Sequence, residues 1–389
     1  MKARRGASAA LAFLLALPAL AADDPVAAPL ADLGQALLRQ APTTNAVISP
    51  VATAVALGLV QAGAQGPAEH EIEALLGGAR ALRHDLPALV KQMQVHGSPL
   101  TMAARLWVDP AVSAAVPAAY SRRLASRWQA DAARVPFTQA EATRTQINRW
   151  TAEHTAGRIA ELLPPGSISA ATQMALTTAV HFRSAWDKPF DATQTVARAF
   201  KTAAGDSKPV PTMVDERAVL QARSDGHWVM ELPFKAGGFA LFVAVPDEGA
   251  APLAGFNGAQ LARWRAALQP VKCELALPRF ALAPQSGSLK NTLQSLGVKT
   301  VFTTAADLRP MLGRQARQMH LDDVHHAAGI TVDEQGGEAV AAAAATVRSK
   351  SLALPVPACA VDRAFAFALV HQASGTPVFV GRVGDPTRD

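Results

Sequence analysis

The chain has 389 residues, half of them hydrophobic, with a formal charge of +6 and two cysteines. That length suits two average domains or one large one with a sizeable core. Three positive charges, Lys2, Arg4 and Arg5, lie at the amino terminus, and no dense Lys/Arg run follows, so the composition gives no support to nucleic-acid binding.

The first predicted element is an export leader. The three basic residues precede an apolar run over 11–20, and Ala19-Leu20-Ala21 supplies a small-residue cleavage pattern. The apolar run is too short to span a bilayer. We therefore predict a signal peptide over residues 1–21 and a single domain over residues 22–389, secreted or periplasmic and without membrane contact.

Helices dominate the first part of the mature chain. Spaced apolar positions predict a helix over 29–40, an all-round buried helix over 50–63 and a third helix over 68–76. An amphipathic helix follows over 138–156.

Strands concentrate later in the chain. They are predicted over 102–108, 174–182, 228–234, 239–246, 274–282, 330–333, 364–370 and 377–383. Because helices come first and strands follow, the pattern favours an α+β fold over a doubly wound sheet.

Two features have more than one interpretation. An alanine run over 341–345 follows Gly336 and Gly337, and its composition alone predicts a surface helix or a linker. Cys273 and Cys359 could form a disulfide in an oxidising compartment or be two small buried hydrophobic residues. The composition leaves both possibilities open.

A series of short motifs, in consistent order along nearly the whole mature chain, resembles the serpin family of serine protease inhibitors. They include Asn45-Ala46-Val47-Ile48-Ser49-Pro50, Gly63-Ala64-Gln65-Gly66, Ile147-Asn148-Arg149-Trp150, the spacing of Phe182, Trp186 and Phe190, Glu231-Leu232-Pro233-Phe234, Leu277-Pro278-Arg279-Phe280 and Asp362-Arg363-Ala364-Phe365-Ala366-Phe367. The resemblance implies helices packed on a large central β-sheet with two smaller sheets and an exposed reactive-centre loop. It implies no enzyme activity, cofactor or metal, and the chain looks like an exported bacterial member.

The same resemblance gives the alanine run a role. The residues from Thr331 to Val340 resemble the loop hinge of inhibitory serpins, in which the residue before the cleaved bond lies sixteen positions after the hinge glutamate. Counting from Glu334 gives a reactive bond at Lys350–Ser351, whereas the competing Arg348 would shorten the insertable segment by two residues. The hinge and insertable loop are then Glu334, Gly336, Gly337, Glu338, Ala339, Val340, Ala341, Ala342, Ala343, Ala344, Ala345 and Thr346.

The resemblance implies a suicide-substrate inhibitor of trypsin-like serine proteases. The protease would attack Lys350, and the cleaved loop would insert into the main sheet, trapping the acyl-enzyme as a covalent complex with a monomeric inhibitor. The alternative is a non-inhibitory serpin that acts as a binding or carrier protein. An exported serine hydrolase is a weaker alternative because the chain has no G-x-S-x-G motif.

The resemblance also assigns residues that control sheet opening: Ser49, Thr178, Trp186, His326 and Arg279. Thr178 stands where the family usually has Asn, and Gly337 where it usually has Thr or Ser. Arg279 and Glu334 match a salt-bridged pair. Cys273 and Cys359 fall on neighbouring strands of the family's fold, which favours the disulfide.

Overall fold

The structure, a computed structural model, describes residues 25–112, 116–236, 238–251, 255–313, 318–337 and 356–388. The predicted leader lies outside these ranges, as do the loop residues 338–346 and the reactive bond Lys350–Ser351. Among the described residues, no helix combines the length and apolar character needed to cross a lipid bilayer.

The part of the chain that the structure describes contains nine α-helices. They are α1 (Ala27–Gln40), α2 (Pro50–Gln61), α3 (Pro67–Leu75), α4 (Leu86–Met93), α5 (Ala118–Arg123), α6 (Ala140–His154), α7 (Gly258–Ala267), α8 (Lys290–Ser295) and α9 (Arg309–Leu312). The four predicted helices correspond to α1, α2, α3 and α6. All twelve residues of α2 are buried, which explains its nearly uniform apolar sequence.

The strands form two sheets. They are β1 (Ala46–Ile48), β2 (Leu100–Val108), β3 (Asp131–Arg134), β4 (Met174–Phe182), β5 (Ser184–Ala185), β6 (Val196–Lys201), β7 (Ser207–Ser224), β8 (His227–Pro233), β9 (Phe239–Pro246), β10 (Gln269–Pro278), β11 (Phe280–Ser288), β12 (Asp323–Val332), β13 (Gly336–Gly337), β14 (Ala358–Ala360), β15 (Phe365–His371) and β16 (Thr376–Val383).

We call the seven-stranded sheet the main sheet. Its order is β3-β2-β4-β12-β13-β5, and β11 pairs with β12. Strands β4 and β12 run parallel and pair directly from Ala175 and Asp323 to Val180 and Ala328. Beyond this contact β13 lies between β12 and β5, antiparallel to both. We call this end of the main sheet the hinge end.

The remaining strands form one continuous nine-stranded sheet in the order β1-β16-β15-β9-β8-β7-β10-β14, with β6 also paired to β7. The two smaller sheets expected from the sequence are joined by the 18-residue strand β7. Strand β7 pairs with β6 and β10 along most of its length, and its last residues pair antiparallel with β8. The short strand β14 lies at the edge of this sheet and pairs only with β10 among the described strands.

The two ends of the domain meet in this sheet. Strand β1 pairs with β16, which joins residues more than three hundred positions apart in sequence. The Asn45 amide then fastens the carboxyl-terminal segment. Its Nδ2 donates to the carbonyl oxygens of Asp385 and Arg388, and its Oδ1 accepts from the backbone N–H groups of Gly384 and Asp385.

The structure differs from the sequence prediction at two strands that reach the main sheet. The predicted strand over 274–282 is two strands, because the chain leaves β10 after Pro278 and enters the other sheet as β11. The short strand predicted over 330–333 is the end of β12, which begins at Asp323. The buried histidines His325 and His326 interrupt the apolar pattern of β12, so its first part was not recognised as a strand.

Candidate functional site

The hinge is held at the end of the main sheet by backbone hydrogen bonds. The N–H of Trp186 donates to the carbonyl of Gln335 at 2.8 Å, and the N–H of Phe190 donates to that of Glu334 at 2.8 Å. The Trp186 indole N–H donates to the carbonyl of Asp333 at 2.8 Å. Trp186, one of the predicted gating residues, therefore fastens the segment that precedes the loop.

A tight turn joins β12 to β13. The carboxylate of Asp333 accepts from the N–H groups of Gln335 and Gly336 at 2.8 and 3.1 Å, an arrangement typical of Asp in turns. The N–H of Asp333 donates to the carbonyl of Gly336 at 3.0 Å. Asp333 was not among the predicted site residues, although an Asp three positions before a glycine is a turn signal.

Only glycine fits at position 336. Its φ is +149°, and a Cβ there would lie 2.1 Å from the carbonyl oxygen of Ser184 and 2.7 Å from Cα of Ala185. Both atoms belong to the backbone of the paired strand β5, so the contact cannot be relieved by the movement of a side chain.

Position 337 is also restricted, in this case by aromatic rings. A Cβ on Gly337 would lie 3.2 Å from Phe182 and 3.6 Å from Phe234. The Phe234 ring stacks on Trp186 with centroids 4.4 Å apart. This crowding gives a physical reason for glycine at position 337, where the family that the chain resembles usually has Thr or Ser.

Glu334, the first residue of the hinge, is buried apart from 8% of its surface. Its carboxylate accepts from the Thr195 hydroxyl at 2.5 Å and lies 3.6 Å from Nε of Arg279. The Arg279 side chain is 51% exposed, so this ion pair contributes little to stability. The Thr195 contact, which sequence reasoning missed, is the shorter of the two.

A cleft opens between β4 and β12 just below the hinge. The direct pairing of the two strands ends at Val180 and Ala328, and a cavity of about 390 Å³ follows. Its walls include His181 of β4 and Ile330 of β12, together with Ile159 from the segment after α6. The opening therefore lies in line with β13.

Hydrogen bonds of His326 close the main sheet below this cleft. The backbone N–H of Ser49 donates to Nε2 at 3.1 Å, so the proton of the neutral ring lies on Nδ1 and faces the Thr178 hydroxyl at 3.1 Å. Thr178 lies on β4 and His326 on β12, so the contact crosses the strand pair. Burial lowers the pKa of His326 to about 4.

Ser49 caps the amino-terminal end of α2 and joins this helix to the nine-stranded sheet. Its hydroxyl accepts from the N–H of Ala52 at 3.1 Å as a helix cap and donates to the carbonyl of Val378 at 2.7 Å. Ser49, Thr178 and His326, predicted together from the sequence, are therefore brought together by α2, β4 and β12.

We expect the Ser49→Ala variant to lose both hydroxyl hydrogen bonds. The free energy of unfolding should fall by about 1–2 kcal/mol, because the buried helix loses its cap and Val378 loses a buried donor. Urea unfolding monitored by tryptophan fluorescence measures the change. Ser126→Ala, which removes an exposed hydroxyl with only a 3.5 Å contact, is the control and should change stability by less than about 0.5 kcal/mol.

The chain after the loop returns at β14. Cys359 of β14 forms a disulfide with Cys273 of β10, with Cα atoms 5.9 Å apart. The parallel pairing of Leu275 with Cys359 puts the two strands side by side at this point. Both cysteines are buried, so the bond lies inside the sheet.

Comparisons with known proteins agree with this architecture. The sequence profile described as "Serpin (serine protease inhibitor)" matches residues 30–386. Serpin-Z1C of Triticum aestivum is 30% identical over 366 residues, which cover 88% of this chain and 90% of that protein.

Two solved structures show the same fold. Mouse protein-Z dependent protease inhibitor has a TM-score of 0.81 at 23% identity, covering 93% of this chain and 97% of the other. Human thyroxine-binding globulin complexed with thyroxine has a TM-score of 0.83 at 21% identity, covering 94% and 99%. These relatives come from plant and animal sources, so they give no support to the expectation of a bacterial member.

Proposed function

Because this chain belongs to the serpin family, we propose that it is a suicide-substrate inhibitor of trypsin-like serine proteases, cleaved at Lys350–Ser351. The family is one of protease inhibitors rather than enzymes. One observation carries the proposal: the hinge glycines are already paired as a strand at the head of an opening in the main sheet. The loop that follows can therefore extend a strand that has already begun.

The register of β13 supports insertion of the whole alanine segment. Gly337 pairs with Val332 of β12 and Ser184 of β5. Continuing this register one residue at a time would bring Thr346 beside Asp323 and Ala175, where the direct pairing of β12 and β4 begins. The segment from 338 to 346 therefore has the length that separates the hinge from the far end of that contact.

Insertion would exchange one strand contact for two. The parallel contact of β4 with β12 would open, and each strand would instead pair antiparallel with the loop, as both neighbours of β13 already do. Antiparallel pairing is somewhat stronger per residue, and each added hydrogen bond contributes about 1 kcal/mol net, so the gain is on the order of 10 kcal/mol. The native state is then metastable, and a barrier maintains it.

The proposed chemistry belongs to the protease. Its serine attacks the carbonyl carbon of Lys350, the bond to the nitrogen of Ser351 breaks, and an acyl ester joins the two proteins. Insertion then carries the ester past the far end of the main sheet, because the thirteen residues from Gly337 to Lys350 span roughly 43 Å when extended. Distortion of the displaced protease stalls the attack of water on the ester. The lysine suits the specificity pocket of a trypsin-like protease, which has an acidic residue at its bottom.

Mixing the purified protein with trypsin tests the proposal. On a denaturing gel we expect a covalent band near the summed masses of the two proteins, absent in Lys350→Ala and retained in Arg348→Ala. Loss of the band in Arg348→Ala alone would move the reactive bond to Arg348. Clean cleavage after Lys350 without a covalent band would instead support the carrier alternative.

We further propose that residues 1–21 are an export leader and that residues 22–389 act as a monomeric domain, secreted or periplasmic. The basic, apolar and small-residue order of the leader supports this assignment. Amino-terminal sequencing of the exported protein should begin at Ala22, and a start at Met1 would contradict it.

A further inference from the structure

The strand that follows the loop has a weak non-covalent attachment. Strand β14 is three residues long and lies at the sheet edge, paired through Ala358–Ala360 to Glu274–Ala276 of β10. Two flanking hydrogen bonds add to this pairing, from the N–H of Glu274 to the carbonyl of Pro357 and from the N–H of Val361 to that of Ala276, both at 2.9 Å. A few hydrogen bonds of about 1 kcal/mol each hold such a strand poorly.

The disulfide changes this attachment. Cys273 lies on the long strand β10, which pairs with β7 over ten residues and cannot leave the sheet easily. The Gln221 amide donates to Sγ of Cys359 at 3.0 Å and accepts from the Trp228 indole N–H at 2.5 Å. The bond therefore anchors β14 to the interior of the nine-stranded sheet.

The anchor limits what an uncleaved loop can do. If the intact loop inserted as far as Thr346, its end would lie beside Asp323, roughly 30 Å from the hinge end at about 3.3 Å per residue. Residues 347–357 would then have to return to β14, and eleven extended residues reach at most roughly 40 Å. The returning chain would use about three quarters of this reach to run back along the sheet and would then still have to turn toward β10.

Release of β14 removes this limit. The returning segment would then extend to Ala364, just before β15 begins at Phe365, and eighteen residues reach roughly 60 Å. An uncleaved loop could then insert completely. After proteolysis the limit also disappears, because the inserting segment ends at Lys350 and no longer connects to β14.

We propose that the Cys273–Cys359 disulfide makes insertion of the loop conditional on its cleavage. A dithiol reductant that exchanges with this bond is oxidised to its own disulfide and leaves the thiols of Cys273 and Cys359, which lets the protein bury its own intact loop and inactivate itself. The inference rests on the proposed function, since it assumes that the main sheet accepts the loop. The chain has two cysteines, so a reductant has no other disulfide to reduce in this protein.

The test follows the loop in the absence of a protease. Oxidised protein, protein reduced after folding and the Cys273→Ser/Cys359→Ser variant are incubated at 37 °C, and samples are taken over time. Brief trypsin treatment of each sample measures the fraction of chains still cleavable at Lys350–Ser351, and urea unfolding measures the midpoint. We expect the two forms without the bond to lose cleavability at least about tenfold faster than the oxidised form, with a rising urea midpoint.

Three controls keep the result interpretable. Reductant should not change the rate of the double Ser variant, which has no bond to break. A non-reducing gel verifies the bond in the oxidised sample, because residues 351–389 then stay attached to the cleaved body through Cys359. Reduction of wild-type protein after folding tests the inference even if the variant does not fold.

Equal rates with and without the bond, including no conversion in either form, would overturn the inference. The proposed function fails on a different measurement, the absence of a covalent band when fresh oxidised protein meets trypsin.

Discussion

Gly336→Ala is expected to turn the inhibitor into a substrate: trypsin should cleave Lys350–Ser351 at an unchanged rate, and the covalent complex should be nearly lost. The added Cβ would lie 2.1 Å from the carbonyl oxygen of Ser184, and the φ of +149° disfavours any residue with a Cβ. The hinge would therefore leave its place between β5 and β12, and insertion would lose the strand from which it starts.

The size of this effect follows from the two penalties. Overpacking against a backbone atom and an unfavourable φ together cost at least about 2 kcal/mol, which lowers the ratio of trapping to hydrolysis roughly thirtyfold. The number of inhibitor molecules consumed per trypsin molecule inactivated measures this ratio. Gly287→Ala is the matched control, since its Cβ would meet no atom within 4 Å and its φ is not positive. A Gly336→Ala protein that traps as well as the control would show that β13 pairing is not the start of insertion.

Acid is expected to weaken the native state through His326. Its pKa is about 4 in the folded protein because the ring is buried, against an ordinary value of 6.5 in the unfolded chain. Between these values the unfolded chain binds the proton and the folded protein does not. The stabilisation contributed by the neutral ring is therefore complete above pH 6.5 and decreases as the pH falls toward 4, by about 3 kcal/mol in total.

The structure supplies the reason that protonation cannot be accommodated. A second ring proton would point at the Ser49 N–H, which is itself a donor to Nε2 at 3.1 Å. Burial also lowers the pKa of the neighbouring His325, and Asp323 opposes this shift. Protonation of either ring at low pH therefore destabilises the folded protein.

Urea midpoints of fresh protein at pH 7.0, 5.5 and 4.5 measure the dependence on pH. The decrease between pH 7.0 and 4.5 should be smaller in His326→Gln, which lacks the titrating ring, and unchanged in His96→Gln, whose residue is exposed. A steep decrease that persists in His326→Gln would assign the acid sensitivity to other groups.

Local sequence patterns predicted four of the nine described helices and located β2 and β4 of the main sheet closely, whereas other strands were shortened or missed. Helix α2 was predicted nearly to its ends because apolar residues surround it and proline and glycine bound it. Strand β12 was recognised only at its end, because His325 and His326 interrupt the apolar run although both are buried. Strand β7 was missed because many of its side chains face solvent and no turn divides its 18 residues.

The candidate site depended on resemblance rather than on propensity. Glycine disfavours strands, so nothing local predicts that Gly336 and Gly337 pair between two strands. Their conformation is set by Ser184 and Trp186, about 150 residues earlier in the sequence. Contacts of that range cannot be read from neighbouring residues, which is why the Thr195 contact with Glu334 was not anticipated.

The junction of β1 with β16 has a consequence for biosynthesis. The hydrogen bonds of the Asn45 side chain cannot form until Gly384 and Asp385 have been synthesised. Strand β1 likewise has no partner until β16 has been made. At 5 to 20 residues per second, a ribosome needs roughly 20 to 70 seconds to make the intervening chain. Throughout that interval the nascent polypeptide lacks the partner that completes its larger sheet. The nine-stranded sheet can therefore be completed only after the ribosome has made nearly the whole chain, and until then its unpaired strand edges are open to chaperones.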